Sequence, residues 1–151
     1  MPGVFLSHSS KDKSFATRLA IDLTSKGFPV WLDTWEMTLG DSLLERIYDG
    51  IDRSSFLIVI ISAASLESKW VQKEVKAAII KEDRGEGPFV VPLKLDPVDL
   101  PLIIADRIYA DFSSSYNTGF EQLATFLEKR GARHLAIPEG KRIFPDRKSV
   151  V

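Results

Sequence analysis

The 151-residue chain has no cysteine, which excludes disulfides, thiolate metal sites and a cysteine nucleophile. That composition fits a reducing compartment, and a cytoplasmic location is the expectation. There are two histidines, His8 and His134, too few and too far apart in sequence to argue a metal site. No apolar run approaches the roughly 20 residues of a membrane span, so no membrane is expected as a partner. The opening Met1 to Ser7 lacks a signal peptide's charged and apolar regions and enters a strand at once. Charge of neither sign dominates: 20 basic residues face 21 acidic ones, leaving no bulk attraction to nucleic acid or an anionic surface. Neither G-x-G-x-x-G nor G-x-x-x-x-G-K-[ST] occurs, so a Rossmann dehydrogenase and a P-loop nucleotide hydrolase are excluded. Internal repeats and low-complexity segments are absent as well.

What is present is an ordinary apolar fraction of 44%, enough for a core, in a chain of one-domain size. Residues 1–131 read as that domain. Residues 132–151, with Lys141, Arg142, Arg147, Lys148 and two prolines, read as a disordered tail or a linker towards a sensor domain. Val4 to Leu6 is a short strand, and the loop Ser7 to Asp12 after it is rich in groups that bond their own backbone. Asp12 is expected to cap a helix that buries Phe15, Leu19 and Leu23 and stops at Gly27. Phe28 to Asp33 is a second strand, followed by a loop from Thr34 to Gly40. Asp41 or Ser42 then caps a helix with Leu44, Ile47 and Ile51 inward. Phe56 to Ile61 is the most apolar run; having no polar face, it reads as a central strand covered on both sides. Small polar residues Ser62 to Ser65 lead to a helix with Val71, Val75, Ala78 and Ile79 buried, ending between Lys81 and Arg84. Phe89 to Leu95 is a fourth strand, whose Pro92 predicts an edge or a bulge. Arg107 to Asp111 is a fifth, and Thr118 to Arg130 a last amphipathic helix.

Strands alternating with helices predict an α/β fold: a flavodoxin-like five-stranded parallel sheet, order 2-1-3-4-5, with helices on both faces. The ligand crevice of such a sheet lies outside the carboxyl ends of strands 1 and 3. Those ends carry Ser7 to Asp12 and Ser62 to Ser68, and the latter leads to Trp70 and Glu74, one helical turn apart. Backbone N–H groups near a helix start make Ser7, His8 and Ser9 candidates for an anion such as a pyrophosphate; plain helix capping is the alternative. A response-regulator receiver shares the topology, but Ser7-His8 and Ser62-Ala63 stand where it needs acidic residues and a phosphoacceptor aspartate.

Three stretches carry a resemblance. Val4-Phe5-Leu6-Ser7-His8-Ser9-Ser10-Lys11-Asp12 is similar to the opening strand and loop of the Toll/interleukin-1 receptor (TIR) domain family. Val30-Trp31-Leu32-Asp33, then Leu39-Gly40-Asp41-Ser42-Leu43, resembles its second strand and the long BB loop. Ser68-Lys69-Trp70 with Glu74 resembles its tryptophan-x-x-x-glutamate motif. The likeness runs from Val4 to Arg130 and favours the family's bacterial NAD-consuming members. His8 and Val71 depart from the pattern, standing where many members have an aromatic residue and a cysteine.

The resemblance implies that Glu74 is the catalytic residue of an NAD+ glycohydrolase. It implies that Ser7, His8, Ser9, Trp31, Asp33, Trp35, Gly40 and Trp70 line the substrate site, with NAD+ as substrate and no separate cofactor or metal. Trp31 has a second reading as a plain core residue, and Gly40 most simply gives its loop backbone freedom. Implied partners are other TIR domains, assembled on activation, and a sensor domain or partner chain in bacterial defence. Nucleic acid is not expected to bind this domain directly. The product, ADP-ribose or a cyclic isomer, stays open. A TIR interaction module without catalysis is the rival reading.

Overall fold

The computed structural model describes residues 3–34, 54–67, 69–85 and 87–131, with the side chains of 33–34, 54–55, 69–74 and 131 outside that description. Five strands, β1 (Gly3–His8), β2 (Val30–Thr34), β3 (Ser54–Ile61), β4 (Phe89–Lys94) and β5 (Ala110–Asp111), form one sheet in the order β2-β1-β3-β4-β5. Every pairing is parallel. The described helices are α1 (Lys13–Ser25), α2 (Ala63–Leu66), α3 (Lys69–Asp83) and α4 (Tyr116–Gly131). Short 3-10 turns occupy Ser10–Asp12 and Leu102–Ile104. The helix expected from Asp41 or Ser42, with Leu44, Ile47 and Ile51, lies outside the described residues, as do residues 132–151.

The central strand is what its composition dictates. Phe56 to Ile61 are all buried, and their alternation feeds two cores. On one face Phe56, Ile58 and Ile60 join Val4, Leu6, Val30, Val91 and Leu93 beneath α1 and α4. On the other, Leu57, Val59 and Ile61 join Phe5, Trp31 and Val90 beneath Val75 and Ala78 of α3. Helices therefore cover both faces, because a right-handed crossover from β1 to β2 and one from β3 to β4 run in opposite directions along the sheet.

Gly27 ends α1 as its position predicts. It takes a φ of 100°, its N–H donates to the Thr24 carbonyl at 2.9 Å, and Phe28 N–H donates to the Leu23 carbonyl at 3.2 Å. Phe28 itself lies just ahead of β2, which begins at Val30. Other boundaries differ from expectation as well. Ser62 to Ser65 do not form a plain loop: Ser62 opens the single turn of α2 with a reciprocal capping box to Ser65. Helix α4 starts at Tyr116, two residues early, because the Ser115 hydroxyl accepts from Thr118 N–H one turn in.

Strand β5 is limited to Ala110–Asp111 for a reason visible at the edge of β4. Val90 N–H donates to the Glu82 carboxylate at 2.6 Å, and Arg107 donates to the Val90 carbonyl at 3.1 Å. Arg107 also pairs with Glu82 at 2.5 Å. These two side chains occupy the place a longer β5 would take, so Arg107 to Tyr109 lie outside the strand. Pro92 lies in a strand paired on both sides, but its missing N–H falls just before the β5 pairing begins at Leu93.

Candidate functional site

The carboxyl ends of β1 and β3 diverge, because the chain turns to opposite sheet faces after each: to α1 after β1, and to α2 and α3 after β3. This is the switch point at which an open parallel sheet leaves a crevice. Ser7 lies opposite Asp33 of β2 and Val59 of β3; His8 lies opposite Thr34.

Ser7 and His8 are both buried, and strand alternation sends them to opposite faces. Ser7 shares the α3 face with Phe5 and Trp31. The Ser7 hydroxyl and the Trp31 indole N–H are sealed from solvent and have no hydrogen-bond partner among the described residues. An unpaired buried donor or acceptor costs about 1–3 kcal/mol. Both lie on the sheet face covered by α3. The third such atom, Thr24 Oγ1, sits at the far end of α1. Trp31 packs in the core of that face and is 1% exposed.

His8 Nδ1 lies 2.7 Å from the Ser9 carbonyl. A carbonyl only accepts, so Nδ1 carries a proton and donates it to this bond. Ser9 caps the 3-10 turn: its hydroxyl accepts from Lys11 N–H at 3.2 Å, and its carbonyl accepts from Asp12 N–H at 2.9 Å. The N–H groups considered for an anion thus already have internal partners at Lys11 and Asp12. Asp12 occupies the N-cap position of α1, but its side chain makes no capping bond. Its carboxylate instead accepts from the Ser62 hydroxyl at 2.5 Å, across the crevice.

The backbone of α3 carries Trp70 and Glu74, with position 74 one turn ahead of Ala78, which is buried against the sheet. The side chains of Trp70, Glu74 and Asp33 lie outside the described residues, as do Trp35 and Gly40 altogether. The structure thus brings Ser7 and Trp31 to the face under the helix that bears Trp70 and Glu74. It places His8 on the other face and Ser9 in the turn beyond. Sequence reading missed the links from Asp12 to Ser62 and from Asp96 to Ala63 N–H, the latter 2.8 Å long. The one local signal was the Ser62-x-x-Ser65 spacing of a capping box.

No described helix is long and apolar enough to cross a membrane. An apolar surface stands at the β5 end of the sheet, where Leu102, Ile103, Ile108 and Tyr109 are exposed. Beside it is a groove of about 270 Å³ lined by Val91, Ala110, Leu123 and Phe126, among others.

A family model for the TIR domain matches residues 4–124. The NAD(+) hydrolase TcpA of Theionarchaea archaeon (strain DG-70-1) is 40% identical over 133 residues, 84% of this chain and 40% of that protein. The 2' cyclic ADP-D-ribose synthase AbTIR of Acinetobacter baumannii (strain 1295743) is 30% identical over 111 residues, 70% of this chain and 41% of that protein. The chain therefore spans about two fifths of the length of each of these relatives. Among solved structures, the TIR domain of the Toll-related receptor TRR-2 from Hydra magnipapillata has a TM-score of 0.62 at 17% identity, covering 89% of this chain and 100% of that one. The TIR domains of the activated Roq1 resistosome reach 0.58 at 21% identity, covering 86% and 99%. These two likenesses carry the fold.

Proposed function

Because this chain belongs to the Toll/interleukin-1 receptor (TIR) domain family, we propose that it cleaves the nicotinamide–ribose bond of NAD+, with Glu74 as the catalytic residue. The observation that carries the proposal is the sheet face under α3. There Ser7 and Trp31 bury polar atoms without partners, at the switch-point crevice and beneath the helix that holds position 74. Two relatives named as an NAD(+) hydrolase and a 2' cyclic ADP-D-ribose synthase support the substrate.

The chemistry asks little of the protein. The bond from ribose C1′ to the nicotinamide nitrogen breaks with its electron pair going to nitrogen. The leaving group turns from cation to neutral base and needs no general acid, unlike the leaving group of an ordinary glycoside. Positive charge develops on the ribose, and the Glu74 carboxylate stabilises it as a fixed, preorganised charge. Water attacking C1′ and releasing a proton gives ADP-ribose; an internal nucleophile attacking C1′ gives a cyclic isomer. NAD+ is consumed as substrate, and this route uses no separate cofactor. Asp33, Trp35, Gly40 and Trp70 join Ser7, His8, Ser9 and Trp31 in lining the site in this reading.

Activation by TIR–TIR assembly belongs to the same proposal, supported by the exposed apolar residues at the β5 end. The setting is a cytoplasmic bacterial defence effector triggered by a sensor domain or a partner chain. The test is chromatography of NAD+ incubated with the chain over a wide range of protein concentration. Nicotinamide is expected together with ADP-ribose or a cyclic isomer, with turnover per molecule rising steeply with concentration. Flat turnover contradicts activation by assembly. Intact NAD+ at every concentration contradicts the enzyme and leaves an interaction module.

A further inference from the structure

We propose that Asp12 and Asp96 are positioning residues for the reaction, two carboxylates that fix where the Glu74 helix begins; the inference rests on the reading of Glu74 given above. Helix α2 has four residues, too few to hold its own shape, since a single turn spends more backbone freedom than its hydrogen bonds return. It is nonetheless the only described element between the central strand and α3. Something outside it must set its direction, and the hydrogen bonds identify what does.

Two tethers converge on its N-cap and its first residue from beyond different strands. Asp12, just past β1, accepts from the Ser62 hydroxyl at 2.5 Å. Asp96, just past β4, accepts from Ala63 N–H at 2.8 Å. The same Ser62 hydroxyl accepts from Ser65 N–H at 3.1 Å, while Ser62 N–H donates to Ser65 Oγ at 2.8 Å. Ser65 Oγ in turn donates to the Ser62 carbonyl at 3.0 Å. Ser62 and Ser65 are buried, so the three bonds between them are shielded from competing water. The Asp12 carboxylate is used here and not on its own helix, which it leaves without a side-chain cap. The bond from Asp12 to Ser62 also spans the crevice, tying the loop of Ser7, His8 and Ser9 to the turn that delivers α3. A shift of α2 therefore moves position 74 relative to the β1 end.

The test compares Asp12→Ala, Asp12→Asn, Asp96→Ala and Ser62→Ala with the parent and with Glu74→Gln. Steady-state nicotinamide release is read beside amide hydrogen exchange at Ala63 and Ser65. Asp12→Ala and Asp96→Ala are each expected to speed exchange at those amides. They should lower kcat by about 10- to 100-fold, the cost of misplacing a catalytic group by a fraction of an ångström to an ångström, with KM changed far less. Asp12→Asn keeps an oxygen that accepts from Ser62, so it should recover most of kcat. Asp12→Ala combined with Ser62→Ala should lose no more than Ser62→Ala alone, because that variant already lacks the Asp12 bond, besides the acceptor for Ser65 N–H.

Faster exchange with kcat unchanged would show a tether that does not position Glu74 and would overturn the proposal, as would additive losses in the double variant. If Asp12→Ala does not melt cooperatively, Asp96→Ala decides the matter, since it leaves the Asp12 to Ser62 bond intact. An inactive Glu74→Gln beside fully active Asp12 and Asp96 variants removes the positioning role alone. A fully active Glu74→Gln, or an inactive parent, removes the reading of Glu74 and the positioning role with it.

Discussion

Tyr116 shows how one side chain serves several partners. Its hydroxyl donates to Asp22 of α1 at 2.5 Å, Arg18 stands 3.6 Å above its ring, and Phe120 stacks beneath. Phe15 and Phe112 meet it edge-on. Burial, first, and then the hydrogen bond to Asp22 hold the phenol proton, raising its pKa above the ordinary value. The folded state binds this proton more tightly than the unfolded state. The stabilisation is therefore fully present below the ordinary tyrosine value of about 10 and is lost as pH rises through the higher folded value. Tyr116→Phe keeps the ring contacts and removes the hydrogen bond. It should cost about 1 kcal/mol in urea unfolding at pH 7, and less at about pH 11, where the unfolded phenol ionises while the folded one keeps its proton. An equal cost at the two pH values would contradict a raised phenol pKa.

At the scale of elements, α4 reaches the sheet edge through Gly119. A Cβ at that position would stand 2.7 Å from the Asp111 carbonyl oxygen and 2.7 Å from Phe112 Cγ, closer than side-chain carbons approach backbone. Gly119→Ala gains helix propensity but forces α4 away from β5. The net expectation is a loss of about 1–3 kcal/mol, the usual cost of overpacking a filled contact, read as a lower urea midpoint at an unchanged slope. A stabilised variant would contradict so close a packing. Elements with a strong local signal were legible: the unbroken apolar run of β3, the periodic face of α1 and its glycine stop. The ends of β5 and α2 were not. Ile108 and Tyr109 have strand propensity, but the Arg107 and Glu82 side chains already satisfy the Val90 backbone that a longer strand would pair with. Helix α2 is too short for any periodicity to register, and only its capping serines announce it.

For the whole molecule, the alternation of strands and helices was enough to place the crevice. The doubly covered sheet follows from the apolar run at its centre and from the handedness of the crossovers. Strand alternation places Trp31 on the face opposite Val30 and Leu32, in the core under α3. The link from Asp12 to Ser62 was illegible because it joins residues 50 apart through a contact that exists only once the sheet has formed. An aspartate before a helix reads locally as a cap, and the tertiary partner overrides that. The central claim is that one carboxylate on the helix beyond the central strand stabilises a ribosyl cation. Glu74→Gln tests it most directly, because the change removes the charge and keeps the shape. Nicotinamide release from NAD+ would be measured for parent and variant at the same high protein concentration. The account predicts release by the parent and a loss of about 100-fold or more in the variant, the size seen when an electrostatic contact to the transition state is removed. Equal rates for the two proteins would contradict it.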